Sequence, residues 1–245
     1  MPSRDLLVNT GNILSLSEAK QLASQNTTDE LTESLKIILK DEQNKGDSAT
    51  VINGKEDTNM QDVDRKDLKI TTKVFISSPN VDLLKEALDQ AFKALRTNTI
   101  ESLVIAYKTD ESPEDTLLSL KQIWSVVEKY VKADKLFSVG LSDINTNTFT
   151  DLFHWAEVKP NIVQINLTAC CVVPPALQEF TKQNDIQLLT HSDPAEILPQ
   201  EVLEDIFGST AALHWLLKYQ VYLKCRGILL SKGYLLHIKK PNVQP

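Results

Sequence analysis

The sequence is poor in glycine and cysteine, and each shortage removes a class of protein. Seven glycines occur in 245 residues, and none forms G-x-G-x-x-G or G-x-x-x-x-G-K-S. The phosphate-cradling loops of dinucleotide-binding and P-loop folds are therefore absent. The three cysteines, Cys170, Cys171 and Cys225, make no C-x-x-C pair and are too few for a disulfide framework. His154, His191, His214 and His237 form no H-E-x-x-H or H-x-H pattern, so no metal site is expected. No apolar run approaches the roughly 18 residues that span a bilayer. The opening "MPSRDLLVNTGN" lacks the basic-then-apolar pattern of a signal peptide, which makes a cytoplasmic location the expectation. An excess of positive charge is also missing: the net charge of −7 argues against a nucleic-acid surface.

What is present is enough apolar residue, 42%, for a sizeable core, and we expect one domain over residues 1–245. Residues 41–67 hold eight acids, four bases and no aromatic residue, and read as a mobile acidic loop within that domain. Before it, "TTDELTESLKIILKD" opens with a capping box from Thr27 to Glu30 and sets Leu31, Leu35, Ile38 and Leu39 on one helical face.

From residue 70 short apolar runs alternate with helical periods. Strands are predicted over 70–77, 102–107, 136–142, 162–167, 186–190 and 227–231. Helices are predicted after Asn80 and after Ser112-Pro113, and over "TFTDLFHWAEV", "PPALQEFTKQN", "EVLEDIF" and "AALHWLLKYQVYLK". Strands and helices alternating at this length mean βα units with a parallel sheet covered on both faces. Without a glycine-rich first turn, a (β/α)8 barrel is favoured over a doubly wound sheet, which puts function where strands end and helices begin. "TGNILSL" is a candidate early strand, and the polar loop offers no good second. The barrel is therefore expected to be incomplete or irregular in its first two strands.

"KLFSVGLSDI", "VKPNIVQINL" and "WLLKYQVYLKCRGILLSKG" resemble, in order and spacing, the aldo-keto reductase barrel over roughly residues 68–233. More specifically, "NLTACCVVPPALQEF", "LLTHSDPAEIL" and "RGILLSKGYLL" resemble the regulatory-subunit family of glutamate–cysteine ligase, a non-catalytic branch of that lineage. That resemblance implies a cytoplasmic heterodimer with the ligase catalytic subunit in glutathione biosynthesis. It also implies that binding raises the enzyme's glutamate affinity and relieves inhibition by glutathione.

The reductase resemblance carries its own site expectations. Reductases of this type use a tyrosine acid, a lysine that tunes it, an aspartate that pairs with the lysine and a histidine that orients the carbonyl. Lys73 in "TTKVF" matches the lysine, Ala106 stands at the histidine position, and the aspartate and tyrosine would fall in the region before residue 68. Lys73 is thus a vestigial catalytic group, because without an acid there is no proton for the forming alkoxide. Tyr107 adjoins Ala106, but a one-residue offset in a strand turns it to the other face. Ser142, Gln164, His191 and Lys232 match or stand near the family's NADPH contacts, with Asp143 in place of an asparagine. No cofactor is required by this reading, and weak NADPH binding, or an NADPH-dependent reductase, is the alternative. The bland account is that Ser142 and Gln164 satisfy strand-end backbone groups.

Cys170 and Cys171 follow the fourth strand of this series at the functional rim. Adjacent Cα atoms sit about 3.8 Å apart and an ordinary disulfide needs about 4.4 Å or more, so they do not pair with each other. They are buried filler or, with Cys225, candidates for a redox-sensitive partner contact. Cys225 lies between Lys224 and Arg226, the more electropositive setting.

Overall fold

The computed structural model describes residues 4–16, 26–43, 50–54, 63–166 and 172–240. In chain order they form β1 (Arg4–Asn9), α1 (Thr27–Gln43), β2 (Val51–Asn53), β3 (Leu68–Ile76), α2 (Val81–Ala94), β4 (Ile100–Tyr107), α3 (Pro113–Lys132), β5 (Leu136–Ser142), α4 (Thr146–Trp155), β6 (Ile162–Asn166), α5 (Pro175–Gln183), β7 (Gln187–His191), α6 (Gln200–Phe207), β8 (Ala212–Leu223) and β9 (Ile228–Lys240). The chain divides into two compact units, residues 1–70 with 193–245 and residues 71–192. No helix among the described residues is long and apolar enough to cross a membrane.

The second unit is the regular βα series. Strands β3 to β7 pair in parallel in sequence order, each step crossing through a helix. The register puts Val74, Ile105, Leu141 and Val163 in one row on the helix-covered face, each no more than 1% exposed. The helices begin where the residue chemistry dictates. The Asn80 side chain accepts the Asp82 N–H at 2.9 Å, and Ser112 accepts that of Asp115 at 3.2 Å ahead of Pro113. Their apolar stripes, Leu84, Ala87, Leu88 and Ala91 on α2 and Leu120, Ile123, Trp124 and Val127 on α3, are buried. Each large side chain so buried contributes about 1.5–3 kcal/mol. Trp124 also donates its Nε1–H to the Val158 carbonyl at 2.8 Å.

The first unit is mostly antiparallel, with strand order β2-β1-β9-β8. Here the structure corrects several expectations. Residues 211–224 are not a helix: they form β8, paired along its length with β9. The expected strand at 227–231 is the start of β9, which continues to Lys240. Aromatic and β-branched residues (Trp215, Tyr219, Val221, Tyr222) suit the pleated pairing that long-range partners then fix.

"TGNILSL" is a 3-10 turn, Ile13–Ser15, capped by the Asn12 side chain, and the strand precedes it as β1. The 41–67 segment is not all loop. It completes α1, supplies β2 with Ile52 buried, and forms a 3-10 turn at Arg65–Asp67; residues 44–49 and 55–62 lie outside the described residues. The Thr27–Glu30 capping box does not form, because Asn26 caps α1 by accepting the Asp29 N–H at 2.9 Å. Thr27 bonds Asp193 instead, and Glu30 turns into the core.

Candidate functional site

The strand register decides which candidates share a surface. Phe75, Ala106, Ser142, Gln164 and Leu189 form one row across the second unit's sheet, and Lys73 lies two residues below Phe75 on the same face. Lys73 is 7% exposed, with Nζ 5.2 Å from the Phe75 ring centroid. Ala106 offers only a methyl group at its place in the row. Tyr107 pairs with Ile76 on the opposite face, and its hydroxyl donates to Glu111 at 3.2 Å. No phenol of that strand reaches Lys73's side of the sheet.

At the C-terminal ends of β5 to β7 the structure joins Ser142, Asp143 and His191. The buried Ser142 hydroxyl donates to Asp143 Oδ2 at 2.8 Å and stands 3.0 Å from His191 Nε2. The same ring nitrogen lies 2.8 Å and 3.0 Å from the two Asp143 carboxylate oxygens. Asp143 also accepts the Asn166 N–H at 2.8 Å and donates its own N–H to the Gln164 carbonyl at 2.9 Å. Its φ of 58° is the left-handed conformation, which an aspartate adopts more readily than most residues.

Burial pushes the Asp143 carboxyl upward. The hydrogen bonds from His191, Ser142 and Asn166 and the histidine charge outweigh that and hold it below the usual carboxylate range. An ionised carboxylate only accepts, so Nε2 carries its proton toward Asp143.

This arrangement is not a nucleophilic relay. In such a relay the acid and the serine use opposite ring nitrogens, whereas here both crowd Nε2 and the serine proton points at the acid. Beside the cluster, Gln164 Oε1 is buried with no hydrogen-bond partner among the described residues.

The remaining candidates stand elsewhere. Lys232 belongs to the first unit, where its Nζ meets Glu30 at 2.6 Å and 2.7 Å. Tyr234 donates its hydroxyl to the same carboxylate at 2.6 Å. Cys225 is exposed in the turn between β8 and β9, while Cys170 and Cys171 lie outside the described residues. Among the described residues no group of three or more His, Cys, Asp or Glu side chains is placed to hold a metal ion. Sequence reasoning noticed Asp143 only as a replacement and missed its role as the hub. Nothing in the spacing marks it, since His191 lies 48 residues away.

The fold has a family: residues 22–195 match the aldo/keto reductase family, and the chain belongs to it and has its α/β fold. Within that family the chain is a homologue of glutamate–cysteine ligase regulatory subunits. It is 38% identical to the Homo sapiens protein of that name over 187 residues, which are 72% of this chain and 68% of the relative. Glyoxal reductase of Bacillus subtilis is 25% identical, over 72% of this chain and 63% of its own length. Among solved structures, aldose reductase from Giardia lamblia superposes with a TM-score of 0.44 at 17% identity, over 78% of this chain and 66% of that one.

Proposed function

We propose that this chain is a non-catalytic regulatory subunit. It binds the glutamate–cysteine ligase catalytic subunit in the cytoplasm, raises its affinity for glutamate and weakens inhibition by glutathione. The observation that carries the reading is the Ala106 row: where a reductase needs a histidine and a facing acid, this sheet presents a methyl group, and the adjacent Tyr107 is committed to Glu111 on the other face. The β4 phenol is thus not on the Lys73 side of the sheet to be tuned.

Two of the groups matched to NADPH contacts are engaged by the protein itself. A carboxamide needs a donor for its oxygen, yet the Ser142 proton is committed to Asp143, which as a carboxylate only accepts. Among the described residues the Gln164 Oε1 acceptor has no partner, and Lys232, matched to a phosphate contact, is paired with Glu30. A regulator of this kind works by binding one conformation of the enzyme better than another, a coupling of about 1–3 kcal/mol in typical systems.

Sedimentation velocity of the chain mixed with purified catalytic subunit tests the first step. A one-to-one complex is expected, and separate boundaries at micromolar concentration would refute the proposal.

A further inference from the structure

We draw no further inference here: the strongest candidate, the exposed surface patch of Leu118 and Lys121 on α3 with Trp155 on α4, where Lys121 Nζ lies 5.5 Å from the Trp155 ring centroid, carries none because nothing in the structure shows what covers it.

Discussion

His191 Nε2 and the Asp143 carboxylate meet at 2.8 Å across the ends of β5 and β7, with the Ser142 hydroxyl closing the third side. The contact stabilises the loop that follows β5. Asp143→Ala removes the acceptor for three donors, an effect of about 1–3 kcal/mol, and puts a Cβ-only residue in the left-handed region at a further cost of about 1 kcal/mol. Asp143→Asn keeps one acceptor and tolerates that conformation. Thermal denaturation should therefore rank the unaltered chain above D143N and D143N above D143A; unchanged midpoints in both variants would mean that the cluster contributes nothing.

The same carboxylate predicts an acid-side dependence. Its folded-state pKa is depressed, so its contribution to stability is present above the unfolded value of about 3.9 and is lost as pH falls through the lower folded value. In urea titrations at a series of pH values below 5, D143N should show a shallower fall in stability than the unaltered chain. Parallel slopes would contradict the assignment.

Glu30 is 3% exposed and receives both Lys232 and the Tyr234 hydroxyl, joining α1 to β9 inside the first unit. Glu30→Ala leaves a half-buried ammonium and a buried hydroxyl without their partner and should cost about 3 kcal/mol. Tyr234→Phe removes one donor and should cost about 1–2 kcal/mol. Chemical denaturation of the two variants measures both, and a smaller loss for Glu30→Ala than for Y234F would reverse the account.

Burial, then the Glu30 charge and hydrogen bond, push the Tyr234 phenol far above its usual range. A raised folded value means that this stabilising contribution is complete below the unfolded value of about 10 and declines as pH rises beyond it. Ultraviolet titration of the folded chain should show Tyr234 silent until alkaline unfolding. Comparison with Y234F checks this: the two folded-state curves should coincide.

Gly140 is the one residue in β5 whose replacement the sheet forbids. A Cβ there would stand 2.0 Å from the Ile162 carbonyl oxygen of β6, a backbone atom that cannot turn aside. Gly140→Ala should destabilise by about 1–3 kcal/mol, read as a lower midpoint in denaturant.

These cases show why the sequence was legible in some places and opaque in others. From Leu68 to Phe207 each strand and helix is set by local period and caps such as Asn80 and Ser112, and the observed bounds fall within a few residues of the expected ones. In β8 the run "AALHWLLKYQVYLK" satisfies a helical period, but β9, arriving from the following turn, fixes it as a strand. Glu30 looked like half of a capping box because its true partner, Tyr234, lies 204 residues away. The site divides the same way. Ser142, Gln164 and His191 could be located by pattern, whereas the Asp143 hub depends on tertiary approach. Lys232 pairs with Glu30, 202 residues away, which no local pattern could show.

The measurement that tests the central claim most directly is a steady-state assay of the purified glutamate–cysteine ligase catalytic subunit with and without a stoichiometric amount of this chain. The account predicts a lower KM for glutamate and weaker inhibition by glutathione, both saturating at one chain per catalytic subunit and both preserved in Lys73→Met. Unchanged KM and inhibition with a folded chain present, or carbonyl-dependent NADPH oxidation that Lys73→Met abolishes, would contradict it.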